Sequence, residues 1–418
     1  MFDVIAPSLE EKLLGYVKRT YLPERYRRGS TANAFTHKDV DFFAPAVEEL
    51  SSGFTAEREE LPKNYLNKKE FRSAYLLYFF LPTYTKVRHC LLQLELQKRL
   101  PRGGIVDVLD LGSGPGAAGI ACAHHFSAHS RTVRLNVHAV DQNEPGLRDA
   151  TELFRSLAYE RHRLATEVST LTPSSLQRAL KGRRYDLIIA ANLLNECGSV
   201  EDQERFCHML IEHHLTDNGL LLVIDPALQK TTRDLMAVRD HLLEKGLASV
   251  VAPCLHQKFC PMRAANRRDW CHFYIEWRCP KIIRQLDHLI GNNHDHLKMA
   301  YFVFAPLSQP SPSRGEGKGE GATNRWRVVS SPMPSTGKTE MLLCGETGEL
   351  QRISQLDRDM MDKQKSLWRI KRGDVVEWPR EKQRLARDEQ IPVVSEWNGL
   401  TRPAADRPTR PSRPEEKS

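Results

Sequence analysis

Val106-Asp-Val-Leu-Asp-Leu-Gly-Ser-Gly-Pro-Gly116 is a short apolar run that gives way at once to three glycines in five positions. Ala117–Phe126 then follows with helical spacing, so the pattern predicts strand, tight turn and helix. Glycines are wanted where backbone dihedrals are unusual and where a ligand approaches the main chain closely. The next strand, Leu135–Val140, ends at Asp141, 25 positions past Gly116. An acid there is placed to accept both hydroxyls of a bound ribose. Three readings fit the turn: a nucleoside-cofactor site, a dinucleotide site read through Gly114-Pro-Gly-Ala-Ala-Gly119, and a ligand-free glycine turn.

The same texture continues outward from this stretch. Gly146–Tyr159 reads as a helix, Tyr185–Ala191 as a strand, Gln203–Leu215 as a helix, Gly219–Asp225 as a strand and Thr231–Lys245 as a helix. Ala248–Ala252 and Met299–Ala305 read as two more strands. Short apolar strands alternating with amphipathic helices predict an α/β fold, a parallel sheet with helices on both faces. Before it, residues 1–101 read as helical. Ser8-Leu-Glu-Glu11 has the form of a capping box, and Asn67–Phe80 is a helical run that Pro82 interrupts before a second helix, Thr83–Leu100. Tyr75, Tyr78 and Phe79 read as core.

Residues 102–306 form the sheet domain, with a cysteine-rich insertion at 253–280. Residues 307–325, rich in Pro, Ser, Gly and alternating charge, are expected to be a disordered insertion. Residues 326–379 read as a small β unit with strands at Trp326–Ser330 and Met341–Leu350 and a basic helix at Asp357–Ile370. Residues 380–418, rich in Arg and Pro, are expected to be a flexible tail. Gly337-Lys-Thr339 has the ending of a phosphate-binding loop, but Pro332 stands where its first glycine is required.

Composition bounds the function. Of 418 residues, 40% are hydrophobic and 27% charged, and no apolar run approaches the roughly 18 residues a membrane span needs. Asp3, Glu10 and Glu11 near the start fit neither a signal nor a transit peptide. The expectation is a cytoplasmic monomer with no membrane contact. Lys and Arg number 61 against 53 Asp and Glu, a tilt that permits a nucleic-acid partner.

Nine cysteines in a reducing compartment do not read as a disulfide framework. Cys254, Cys260, Cys271 and Cys279 crowd one loop, and thiolates this dense point to metal. Zinc and a 4Fe–4S cluster are the two occupants the residues leave open, with His256 and His272 as further zinc ligands. His288, His294 and His296 read as part of a polar loop. Asn192 ends the fourth strand. No residue after that strand declares itself as a general base.

With Asp110 two residues before its first glycine, the glycine stretch resembles the first motif of class I S-adenosylmethionine (SAM) methyltransferases. That resemblance implies a Rossmann-like sheet and a SAM site at Asp110, Gly112, Gly114, Gly116, Asp141 and Asn192. A second resemblance covers most of the chain. Ala252-Pro-Cys-Leu-His-Gln-Lys-Phe-Cys-Pro261, Trp270-Cys-His-Phe273, Leu77–Leu92 with Leu81-Pro-Thr-Tyr84, Leu343-Cys-Gly-Glu-Thr-Gly348 and Arg372-Gly-Asp374 carry it. Together they resemble the methyltransferase-like small-subunit ribosome assembly family, bacterial type. Leu255 before His256, where the family usually has Pro, is a departure that removes no ligand. The resemblance implies a 4Fe–4S cluster on Cys254, Cys260, Cys271 and Cys344, leaving Cys279 spare. It also implies the small ribosomal subunit and its rRNA as partners, in assembly or, as the alternative, as substrate of rRNA methylation with a structural metal.

Overall fold

A computed structural model describes residues 5, 7–27, 35–55, 64–157, 160–307, 324–360, 367–387 and 389–397. Its central sheet contains β1 (Ile105–Leu111), β2 (Arg134–Asp141), β3 (Arg163–Val168), β4 (Tyr185–Ala191), β5 (Leu215–Asp225), β6 (Ser249–Ala252), β7 (Phe273–Glu276) and β8 (His296–Ala305). The order is β3-β2-β1-β4-β5-β8-β6, with β7 on the far part of β8. β1 to β5 are parallel, but β8 runs antiparallel to β5 and β6, so the expected all-parallel sheet is mixed at one edge.

Alternate residues of each central strand feed two cores. Val106, Val108, Leu187, Ile189, Leu220 and Leu222 face one, and Leu109, Leu111, Ile188, Ala190, Leu221 and Val223 face the other. Burial on both faces is why these strands read as unbroken apolar runs. The edge strand β3, Arg163–Val168, is mostly exposed and carries no such signal, and the sequence reading passes over it.

The first core is shared with α1 (Pro7–Tyr21), α2 (Glu24–Arg27), α3 (His37–Thr55), α4 (Lys69–Ala74) and α5 (Phe80–Leu96), so the helical region is part of the sheet domain's core. α1 begins at Pro7, so Ser8 sits inside its first turn and is not a cap. Pro82 does not break the run. A π turn, Tyr75–Phe79, joins α4 to α5 and shifts the backbone just where the proline ring would meet the carbonyl four residues back. The helices between strands are α6 (Ala117–His129), α7 (Glu144–Ser156), α8 (Pro173–Leu180), α9 (Val200–His214), α10 (Gln229–Glu244), α11 (Pro261–Ala265) and α12 (Lys281–Ile290).

A second sheet follows: β9 (Arg325–Val328), β10 (Met333–Ser335), β11 (Lys338–Gly345), β12 (Leu350–Leu356), β13 (Val375–Glu377), β14 (Arg384–Leu385) and β15 (Val393–Ser395). It runs β14-β12-β11-β9-β13-β15, with β10 on β11. Two expectations are corrected here. Residues 357–359 and 367–369 are single 3-10 turns rather than ends of one basic helix, and 361–366 lie outside the described residues. Residues 380–397 are not a loose tail: they add β14 and β15 and end on Trp397, which is 1% exposed. The Trp397 amide donates to Asp374 Oδ1 (2.6 Å), and its indole N–H donates to the Tyr274 carbonyl (2.8 Å). Its ring packs on His89, Phe273 and Tyr301, tying the second sheet to the first. The insertion expected at 307–325 lies outside the described residues between 308 and 323, as does the chain after 397.

Candidate functional site

The strand order reverses between β1 and β4, and a ligand crevice is expected at the carboxyl ends of strands at such a point. There β1 runs into Gly112, Gly114 and Gly116, whose φ values are +65°, +49° and +85°. Only glycine adopts these at no steric cost. A Cβ on Gly116 would also stand 2.8 Å from Ala150 Cβ, so this glycine lets α6 close on α7. Asp141 holds the turn from the neighbouring strand. Its Oδ2 accepts the Gly114 amide (2.8 Å) and its Oδ1 the Asn143 amide (2.7 Å). Asn143 in turn caps α7 through the Gly146 amide (2.7 Å). Burial raises the Asp141 pKa above the ordinary value, against the lowering effect of those amides.

A cavity of about 380 Å³ opens over this turn. Of the six residues expected there, Gly112, Gly114, Asp141 and Asn192 line it. Asn192 takes φ +58° at the end of β4, with its amide bonded to the Ile224 carbonyl (2.7 Å). Asp110 and Gly116 are not among the lining residues. Asp110 is 1% exposed beneath the turn, where its Oδ2 accepts the Ser113 hydroxyl (2.9 Å) and the Gly119 amide (2.8 Å). Its part is to brace the turn and the start of α6. The N-terminal helices supply the opposite wall, with Tyr75, Phe79 and Lys86, and the loop after α12 adds His294. No spacing in the sequence points to these. Tyr75 and Phe79 read as core and prove half-buried on the cavity, whereas Tyr78 is fully buried. Lys86 has no hydrogen-bond or ion-pair partner among the described residues, and burial pushes its pKa down to about 8.

Asp110 gives a pH prediction. Burial pushes its pKa up to about 7, against hydrogen bonds from Gly119 and Ser113 that lower it. Between pH 4 and 7 the folded chain therefore holds a proton that the unfolded chain has lost. Its contribution makes stability fall as pH rises through that window, by at most about 4 kcal/mol. In Asp110→Asn the difference from the parent in urea midpoint should vanish near pH 4 and grow in the variant's favour towards pH 7. A constant difference across the window would show that Asp110 does not titrate there.

The cysteine loop leaves β6 at Ala252 and packs against the second sheet. Arg239 of α10 is fully buried and organises it. Its guanidinium bonds Asp240 Oδ1 (2.7 Å) and the carbonyls of His256 (3.1 Å) and Lys258, while Asp240 Oδ1 accepts the Cys260 amide (2.9 Å). The turn Gly345–Gly348 after β11 fits onto this loop, and Gly348 (φ +84°) lies against Lys258 and His256. Cys344 Sγ stands 3.5 Å from His256 Nε2. Burial raises the Cys344 thiol pKa most, and the Cys254, Cys260 and Cys271 thiols beside it raise it further. Cys271 is pushed up by burial, then by Cys260 and Cys254. Cys260 rises to about 11 by burial and Cys254, with Arg239 opposing. The fold thus brings one electrostatic neighbourhood out of four thiols from separate segments. As the side chains lie, no group of three or more His, Cys, Asp or Glu among the described residues is set to hold a metal ion. Cys279 belongs elsewhere, buried in the first core with its thiol on the Pro280 carbonyl. His272 is engaged by Arg372 (3.0 Å).

A seven-strand order with the antiparallel strand next to last, a glycine turn after β1 and an acid at the end of β2 define a class I methyltransferase-like protein. The family model described as mitochondrial small ribosomal subunit Rsm22 matches residues 69–375, and the chain belongs to that family. No curated protein matches it. Among solved structures it is similar to a putative class I SAM-dependent methyltransferase of Listeria monocytogenes. That match has 11% identity, covers 74% of this chain and 92% of the other, and has a TM-score of 0.39. It is also similar to PKMT2 of Rickettsia typhi in complex with AdoHcy (12% identity, 60% of each chain, TM-score 0.29). A SAM-dependent methyltransferase from Clostridium acetobutylicum is a third (12%, 53% and 90%, TM-score 0.28). No helix among the described residues is long and apolar enough to cross a membrane.

Proposed function

We propose that the chain binds SAM in the cleft between β1 and β4, binds the small ribosomal subunit and assists its assembly. The cleft supports the cofactor: Gly112 and Gly114 leave room for its amino-acid end, and Asp141 lies at the end of β2, where a ribose would sit. The ribosomal partner is supported by the family, whose description names the mitochondrial small ribosomal subunit.

The metal belongs to the same proposal. Cys254, Cys260, Cys271 and Cys344 would hold a 4Fe–4S cluster, with zinc as the alternative occupant. The fit rests on four thiols in one neighbourhood: Cys254, Cys260 and Cys271 raise the pKa of Cys344, and Cys260 and Cys254 raise that of Cys271. Arg239, also buried there, carries positive charge that offsets thiolates. A bound cluster supplies cross-linking between loop and second sheet. A visible spectrum with iron and sulfide analysis on anaerobically purified protein tests it. Absence of both, with zinc present, would decide for the alternative.

RNA contact makes a further prediction. Arg267, Arg268, Arg369 and Lys371 are exposed near the cysteine loop and the turn after β12. Arg263 reaches Asp240 (3.4 Å), Arg372 is spent on His272 and the Tyr274 ring, and Lys365 lies outside the described residues. Binding to purified small subunits is expected to weaken with salt by roughly one log–log unit per phosphate contact. Replacing both Arg267 and Arg268 by Ala should lower that slope by about two. Salt-insensitive binding would mean contacts to ribosomal proteins alone.

A further inference from the structure

The loop after α12 carries an arrangement that the glycine turn and the cysteines leave unused. α12 is capped by Gly291, whose φ of +69° turns the chain back. Asp287, one turn before that end, is buried and accepts three donors. The His294 amide gives to its Oδ2 (2.9 Å), the His294 ring Nδ1–H to its Oδ1 (2.8 Å), and the Tyr78 hydroxyl to the same oxygen. Burial raises the Asp287 pKa, but the bonds from His294 and Tyr78 outweigh it and hold the carboxyl below its ordinary value. The Tyr78 ring meets the imidazole edge-on with centroids 4.9 Å apart. One imidazole nitrogen is thus fixed on a carboxylate. The other, Nε2, has no hydrogen-bond partner among the described residues, and the side chain, 19% exposed, lines the cavity of Gly112, Gly114 and Asp141.

We propose that His294 is the proton acceptor for methyl transfer in this cleft, with Asp287 as its positioning residue. This rests on the reading of the cleft as a SAM site. A carboxylate on Nδ1 selects the tautomer with a free, basic Nε2 and stabilises the imidazolium that forms when that nitrogen takes a proton. The methyl acceptor is a group that must lose a proton to become a nucleophile, a ring N–H or a hydroxyl. The acceptor's lone pair bonds to the methyl carbon while the methyl–sulfur bond breaks with its electron pair going to sulfur. The acceptor's proton passes to His294 Nε2 and from there to water. Tyr75, Lys86, Asp141, Glu196, His296 and Lys298 line the same cavity, and His294 is the imidazole there that is bonded to a carboxylate, Asp287. The arrangement also supplies what the sequence motifs lack, a base on the wall of the cavity that Asn192 lines.

The test uses full-length protein, tritiated SAM and small subunits purified from a strain lacking the gene, with nucleoside analysis to separate base from ribose products. The parent is expected to label the RNA. His294→Ala and His294→Asn, the second keeping an N–H donor at the Nδ1 position for Asp287, are expected to lower the rate roughly 100-fold or more while keeping the parent's calorimetric SAM affinity. In ¹⁵N spectra of histidine-labelled protein, the parent's His294 should be held as the Nδ1–H tautomer, and Asp287→Asn should mix the tautomers and slow transfer. Parental rates in both His294 variants, or an unchanged tautomer in Asp287→Asn, would overturn the assignment. So would a parent that binds SAM and labels nothing, or labels only protein. A parent that fails to bind SAM removes the cofactor reading itself, and the assignment with it.

Discussion

Cys344→Ser is expected to lose its iron and to release the second sheet from the first. Cys344 lies at the end of β11, paired with Leu350 and Arg327, and its sulfur points at His256 of the cysteine loop. The other three thiols come from the loop itself, 73 or more positions earlier. A metal held by all four would close a loop of chain that otherwise rests on Trp397, Arg239 and the Gly345–Gly348 turn. Metal-binding free energy then becomes folding free energy for the junction, on a scale of roughly 10 kcal/mol for structural sites. Removing one thiolate should forfeit a large part of that, and Cys254→Ser or Cys260→Ser should behave alike. Cys279→Ser should retain the metal, because that thiol is packed in the first core near Asp287, with its pKa pushed up to about 12 by burial. Iron content and limited proteolysis across the four variants make the measurement. Undiminished iron in Cys344→Ser would exclude it as a ligand, and unchanged stability after iron removal would dismiss the clasp.

Asp141→Ala is expected to weaken SAM binding by roughly 100-fold. A carboxylate has about four lone-pair sites, and three of Asp141's are used by the Gly114, Asn143 and Gln142 amides. The remaining one is available to a ribose hydroxyl. Losing a charge-assisted bond costs about 1.5–3 kcal/mol, and each 1.4 kcal/mol is tenfold in affinity. The variant also leaves the Gly114 amide without its acceptor, so the glycine turn loses its anchor as well as the ligand's. Asp141→Asn keeps one acceptor and should fall between variant and parent. Calorimetry settles it, and parental affinity in Asp141→Ala would remove this residue from the site.

Sequence alone is enough for the sheet strands buried on both faces, because their apolar runs are continuous, and for the glycine turn, because glycine alone takes positive φ at no steric cost. Asp141 and Asn192, at the ends of such strands, line the cavity. The edge strand Arg163–Val168 left no apolar signature to read, and Pro82 was misjudged because a π turn upstream removes the clash that a proline normally causes. Composition misleads at residues 380–397: over 380–418 as a whole Arg and Pro outnumber apolar residues, yet one tryptophan, Trp397, seated on Phe273 and Tyr301 holds 380–397 in place. The cavity's other wall was a tertiary decision. Tyr75 and Lys86 reach it because the N-terminal helices share the first core with the sheet. Asp110 and Gly116 fall away from it because the turn folds over them. The meeting of His294 with Asp287 and the cleft, and of Cys344 with His256, has the same physical origin. Residues 7 and 88 positions apart become neighbours only when helix ends and sheet edges are brought together by packing, and no local periodicity encodes that.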